Sequence, residues 1–229
     1  MLLQRPADNR GGACMLIRIC LLAVAAILVG AGWRQLDRFS STPGDQRAAP
    51  ARWPRDLPAE FSPEPLEAGS SQGVKTPTLL VFLHPRCSCS AATLEQLAQI
   101  LEATRSPLKI ALVVYRSRVV NDAEGSSALR DFVHEGSGHH DIRILHDANG
   151  ALSRRFGAAT SGEILLYAGD GRLLFQGGIT PQRGHVGDSD GADELRNALA
   201  TGAAQGRTAS VFGCPIFHSA MAPVQGERE

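Results

Sequence analysis

The chain has 229 residues, 43% of them hydrophobic, with 23 basic and 23 acidic side chains. That length holds one ordinary globular domain with attachments rather than two large domains. A formal net charge of zero removes the electrostatic case for binding nucleic acid or an anionic membrane surface. The five cysteines, Cys14, Cys20, Cys87, Cys89 and Cys214, are too few and too scattered for a disulfide-stapled miniprotein, so a hydrophobic core must hold the fold.

Arg5, Arg10 and Arg18 precede an uncharged apolar run from Ile19 to Trp33. Counted from Met15, the run is interrupted only by Arg18, whose long side chain can snorkel to an interface. It is slightly short for a span of ~20 apolar residues and long for the apolar core of a signal peptide. Residues 1–33 therefore read as a signal anchor or, with Val29-Gly30-Ala31 as a small-residue cleavage site, as a removed signal peptide. Either reading exports the remainder into an oxidising compartment where disulfides persist.

Residues 34–76 carry Pro43, Pro50, Pro54, Pro58, Pro63 and Pro65 in a polar setting with no sustained period, the composition of a semi-extended tether. Trp53 and Phe61 either dock on the domain or are incidental tether residues, the latter slightly favoured by the composition.

The folded domain is expected over residues 77–202. Thr78 to Leu83 is a short apolar run bounded by Pro77 and Pro85, the pattern of a buried strand. Leu94, Leu97, Ala98 and Leu101 then recur at helical spacing with polar residues between them. Lys109–Tyr115 predicts a second buried strand, Ser127–Glu135 a helix, and Asp141–His146 a third strand. A short helix carrying Leu152 and Phe156 ends at Gly157. Glu163–Tyr167 and Leu173–Phe175 flank a Gly-Asp-Gly turn and form a hairpin, and Leu195 and Leu199 mark a last helix that Asp190 is placed to cap. Alternating strands and helices that end in a hairpin specify an α/β fold, a mixed central sheet with helices on both faces. Residues 203–229 form a tail whose Val211, Phe212, Ile216 and Phe217 predict partial packing on the domain.

Cys87 and Cys89 lie where the first strand hands over to a helix. Exposed amides and the positive end of the helix dipole favour thiolate there, so a cysteine in that place is chemically useful. On this reading Cys87 attacks a disulfide and Cys89 resolves the mixed disulfide; the bland alternative is two small buried hydrophobes. A Cys87–Cys89 bridge requires the loop to stay non-helical through Ser88 and closes a small, strained, easily reduced ring, so either it is an oxidising disulfide or Cys89 pairs elsewhere. Arg86 adds positive charge beside Cys87, and His84 is either a proton acceptor or a structural loop residue. Cys214 is a third redox partner, a metal ligand or an inert buried thiol. In the glycine-rich loop Gly177–Gly191, Arg183 and His185 either face the site or lie on a solvated connector; His139 and His140 read as surface.

The element order, with cysteines after the first domain strand, resembles the thioredoxin superfamily, especially its exported, membrane-tethered members. The phrases HPRCSCS, FGAATSGEILLY, GGITPQRGHVGD and VFGCPIF together resemble a bacterial membrane-anchored group described as RedB-like. The resemblance implies a thioredoxin-like fold over roughly Thr76–Gly202 and a periplasmic domain, either anchored or released after cleavage. It also implies a protein thiol or disulfide substrate and a redox partner that resets the site.

Two departures stand out. The family spaces its cysteines by two residues, which puts Ser90 in the second position and makes Cys89 an addition. The family's cis-proline, facing the cysteines, is replaced by Thr160-Ser161-Gly162, leaving space or a hydroxyl in its place. The rival function is metal handling without a resident cofactor, with His84, Cys87, Cys89, Cys214 and His185 offering soft donors to copper or zinc. A third is a thioredoxin-like binding module with no chemistry.

Overall fold

The computed structural model describes residues 10–54, 57, 76–85, 87–116, 127–135, 140–204 and 208–217. Arg86, Phe61 and His139 lie outside them. The chain divides into two compact units, Met1–Ser40 and Ser41–Glu229.

The first unit is built on α1, Arg10–Ser41. Its apolar side chains point outward all round, among them Leu21, Leu22, Ile27, Leu28, Val29, Trp33, Leu36 and Phe39. The stretch Arg18–Ser41 has 24 residues and no buried part, and rises about 36 Å at helical pitch. It is long and apolar enough to cross the ~30 Å core of a bilayer. The helix runs unbroken through Val29–Ala31 and continues past Trp33, so the first residues expected in the tether are helical.

The second unit is a five-stranded sheet with the order β3-β2-β1-β4-β5. Its strands are β1 (Thr78–Leu83), β2 (Lys109–Arg116), β3 (Asp141–Ala148), β4 (Ile164–Tyr167) and β5 (Leu173–Gly177). The connecting helices are α2 (Ser88–Glu102), α3 (Ser127–Glu135) and α4 (Ala151–Phe156), with α5 (Asp190–Thr201) after the hairpin. β1 is central, parallel to β2 and antiparallel to β4; β2 and β3 are parallel, β4 and β5 antiparallel. This is the predicted mixed sheet, and its strand order, connectivity and helix placement define a thioredoxin-like fold.

β1 is buried on both faces because its residues alternate between two cores. Leu79, Val81 and Leu83 meet Leu94, Leu97 and Ile100 of α2, Phe132 of α3 and Leu195 of α5. Leu80 and Phe82 meet Leu152 and Phe156 of α4 and Ile216 of the tail. Gly157 closes α4 in the left-handed region at φ 78°, a conformation that costs a residue with a Cβ. Ser189, not Asp190, caps α5: its hydroxyl accepts the Ala192 amide at 3.2 Å, and Asp190 occupies the first turn, where its charge suits the dipole.

The residues after α1 do not behave as a free tether. The Gly44 amide bonds the Val211 carbonyl at 2.8 Å, and the Leu173 amide bonds the Ala51 carbonyl at 3.0 Å. The Trp53 ring stands edge-on to Tyr167 at 5.2 Å and lies 5.3 Å from Phe156. An extended, proline-punctuated segment keeps its remaining backbone groups free to pair along an edge, and this one straps the domain. His140, expected at the surface, is buried where the chain enters β3.

Candidate active site

The end of β1 and the start of α2 present Cys87 and Cys89. Cys87 is the N-cap residue of α2 in extended conformation, and its amide bonds the His84 carbonyl at 3.2 Å. Its carbonyl accepts the Ser90 amide at 3.0 Å. Ser88 already belongs to the helix, so the non-helical loop that a Cys87–Cys89 ring requires is absent.

A second element reaches the same point from the other end of the chain. The tail passes along the loop that enters β4: the Ser161 amide bonds the Cys214 carbonyl at 2.8 Å, and the Ile216 amide bonds the Ala159 carbonyl at 2.9 Å. This pairing puts Cys214 Sγ 3.0 Å from Cys87 Sγ. The sulfurs of Cys87, Cys89 and Cys214 all lie within 4.8 Å of one another.

Ser161 occupies the place where the sequence departs from the expected proline. Its hydroxyl donates to Cys87 Sγ at 3.4 Å and accepts the Cys214 amide at 3.1 Å. A hydroxyl, one of the two outcomes that departure allows, is therefore present, and it joins the Cys87 sulfur to the backbone amide of Cys214. Ser90, which the resemblance sets in place of a second cysteine, accepts the His84 amide at 3.0 Å and holds the turn.

These contacts separate the three thiols electrostatically. The Cys87 thiol is lowered to about 4: the Cys89 hydrogen bond is the largest cause, burial opposes it, and bonds from Ser161, Cys214 and the Ser90 amide add to it. Cys89 is pushed up, first by its hydrogen bond to Cys87 and then by burial. Cys214 is pushed up chiefly by burial and its bond to Cys87, while a bond to Cys89 and the charge of Arg183 pull the other way. At neutral pH the arrangement is one thiolate served by two thiols.

The other foreseen residues fall differently. The His84 ring stacks on Tyr115 at 5.8 Å, and neither His84 nor His185 joins the cluster of ligand atoms among the described residues. His185 is exposed, with Nδ1 2.7 Å from the Arg183 carbonyl. Arg183 does face the site: its guanidinium donates to the Gly213 carbonyl next to Cys214 and to the Thr42 carbonyl of the strap. The neighbouring Gly184 lies against Ser88, where a Cβ would stand 3.3 Å from the serine hydroxyl.

One buried carboxyl close to the site has no signature motif in the sequence. Glu163 is fully buried beside the Thr160-Ser161-Gly162 loop. It accepts the Gln176 side-chain amide at 2.9 Å and the Ala159 amide at 3.4 Å, and burial raises it to about 7. A lone acidic residue at the head of an apolar strand was the only signal it offered.

No protein-family model matches the chain, and no curated protein matches it. Solved structures do. A hypothetical protein from Sinorhizobium meliloti is 22% identical, with 65% of this chain and 82% of that chain covered and a TM-score of 0.46. A secreted Mycobacterium tuberculosis disulfide oxidoreductase homologous to E. coli DsbE is 21% identical, with 55% and 81% covered and a TM-score of 0.35. The exposed lipoprotein thioredoxin of Streptococcus pneumoniae is 19% identical, with 56% and 85% covered and a TM-score of 0.35. At these identities the thioredoxin-like fold rests on the strand order and helix placement themselves. The narrower RedB-like resemblance remains one of sequence phrases.

Proposed function

We propose that the chain is an exported thiol–disulfide oxidoreductase in which Cys87 is the attacking thiolate and Cys214, rather than Cys89, resolves the intermediate. The observation that carries this reading is the 3.0 Å separation of Cys87 Sγ and Cys214 Sγ. The Cys87 thiolate attacks one sulfur of a substrate disulfide, forming a mixed disulfide and expelling the other sulfur as a thiolate. Cys214 then loses its proton to that leaving thiolate and attacks Cys87 Sγ. The second substrate sulfur leaves, takes up a proton from solvent, and a Cys87–Cys214 disulfide remains. Two electrons pass from the chain to the substrate, and a thiol-bearing partner restores the dithiol by the reverse steps. Cys89 stays protonated and supports the Cys87 thiolate. The helix α1 anchors the domain on the extracytoplasmic side of the membrane.

Mass mapping of the oxidised full chain in detergent tests this directly. A Cys87–Cys214 crosslink is expected, and a Cys87–Cys89 crosslink or three free thiols under oxidising buffer overturns it. Loss of insulin-disulfide reduction in Cys87→Ser and Cys214→Ser completes the test. Cellular function intact in both variants identifies a non-catalytic module instead.

The mutual approach of three sulfurs within 4.8 Å favours a second reading, delivery of a soft cation as cargo. Cys87, Cys89 and Cys214 would hold it, a three-thiolate set suited to Cu(I) and, with a fourth ligand from solvent, to Zn. Equilibrium dialysis of the reduced chain against Cu(I) or Zn decides it: stoichiometric metal lost in Cys89→Ser supports delivery, and no bound metal removes it.

A further inference from the structure

The tail does more than bring a third sulfur. Cys214 to Ile216 pair with the loop before β4, where Pro215 bridges Thr160 in antiparallel fashion between the Ser161–Cys214 and Ile216–Ala159 backbone bonds, while Val211 is held by the Gly44 amide. Val211 and Ile216 are each 1% exposed, so side chains on both sides of Cys214 are seated in the domain. Gly213 packs so closely that a Cβ there would collide with the Ser161 carbonyl. With the tail in place, Cys87 retains 9% of its exposure, and the backbone donor and acceptor flanking it are used. While this segment is docked, Cys87 offers a substrate disulfide little exposed surface.

We infer that Val211–Phe217 is an internal surrogate of the substrate, docked on the Ala159–Ser161 edge, and that an external peptide must replace it to react with Cys87. The inference rests on the redox reading above and adds the substrate class to it. The occupant the edge is built for is an extended polypeptide segment with a small residue before its cysteine and an apolar residue two positions after it. Backbone pairing supplies the affinity, and the seats of Val211 and Ile216 supply the selectivity. The device is also self-closing. A Cys87–Cys214 disulfide fixes the tail on the edge. An external dithiol that gives up two electrons, leaving as its own disulfide, returns both cysteines to thiols and frees the tail to exchange with substrate.

The test uses the full chain in detergent under reducing conditions, with iodoacetamide alkylation of Cys87 read by mass mapping. Gly213→Ala removes no cysteine from the chain and drives the tail off the Ser161 carbonyl. Alkylation of Cys87 is expected to rise about tenfold over the unaltered chain, the signature of a local opening made permanent. A synthetic peptide copying Thr208–Phe217 with Cys214→Ser should slow it again, and a scrambled peptide should not. Equal rates with and without the substitution, or no effect of the peptide, overturns the inference.

A measurement on the unaltered chain guards against misfolding of the variant. Exchange of the Ser161 and Ile216 amides should be about tenfold slower in the oxidised than in the reduced chain. Equal protection in the two states overturns the lock. The two readings fail separately: without a Cys87–Cys214 disulfide the redox reading falls while peptide protection of Cys87 stands, and with a disulfide but no peptide effect only the surrogate falls.

Discussion

The Ser161 hydroxyl donates to the Cys87 sulfur at 3.4 Å from the loop that enters β4. A hydrogen bond to a charged group contributes ~1.5–3 kcal/mol, and one unit of pKa corresponds to about 1.4 kcal/mol. Ser161→Ala is therefore expected to raise the midpoint of Cys87 alkylation from about 4 by roughly one to two pH units. Ser161→Thr, which keeps the hydroxyl, should leave the midpoint near its original place. A pH–rate profile of iodoacetamide labelling at Cys87 reads both variants, and an unmoved midpoint in the alanine variant would falsify this role for the hydroxyl.

The strands and helices were legible because their apolar periods are clean: the six residues of Thr78–Leu83 are all buried, and Ser127–Glu135 is helical as its pattern predicts. The position of Cys87 at a helix start was equally readable, since a short apolar strand followed by a helical period fixes that junction. What local pattern cannot encode is which distant segments return. Cys214 is separated from Cys87 by 127 positions, and only the backbone pairing of the tail to Ala159–Ser161 brings the sulfurs together. The strap is hidden from local pattern for the same reason. Proline and polar residues around Trp53 match a free tether, and the ring's partners Phe156 and Tyr167 lie on elements more than a hundred residues away. Glu163 carries no motif at all; its raised pKa is a product of burial that only the assembled sheet supplies.

A Cys87–Cys214 disulfide would close a loop between residues 127 apart. The chain-entropy model assigns such a closure about 5 kcal/mol, gained by restricting the unfolded chain. Chemical denaturation of the oxidised chain should therefore show a higher midpoint than the reduced chain. Cys214→Ser should remove the difference between the two redox states, and Cys89→Ser should retain it. Identical oxidised and reduced midpoints in the unaltered chain count against this pairing.

Trp53 reports on the strap. Its ring packs on Phe156 and Tyr167 while partly exposed, so truncation forfeits aromatic contacts and some apolar burial rather than a whole core side chain. Trp53→Ala is expected to lower stability by ~1–3 kcal/mol, and Trp53→Phe by less. Urea unfolding followed by circular dichroism measures both, and an unchanged midpoint in the alanine variant means the strap adds nothing to the domain.

Glu163 gives stability a pH dependence of definite sign. Its carboxyl is raised from an ordinary 4.5 to about 7, chiefly because burial penalises the charged form. Between those two values the unfolded chain has released this proton and the folded chain still holds it. The folded state thus binds more protons, and stability from this group falls as pH rises. The contribution is fully present below 4.5 and is lost as pH passes through about 7, a total of ~3 kcal/mol from the size of the shift. Cys87, lowered from 9.0 to about 4, works in the opposite sense across the same window, so the effect of Glu163 must be read as a difference between variants. Glu163→Gln keeps an acceptor for the Ala159 amide and cannot ionise. Its stability relative to the unaltered chain should rise by ~1–3 kcal/mol between pH 5 and pH 8. A pair of urea titrations at those pH values supplies the measurement, and parallel behaviour of the two chains across the range would show that the carboxyl does not change charge in the folded state.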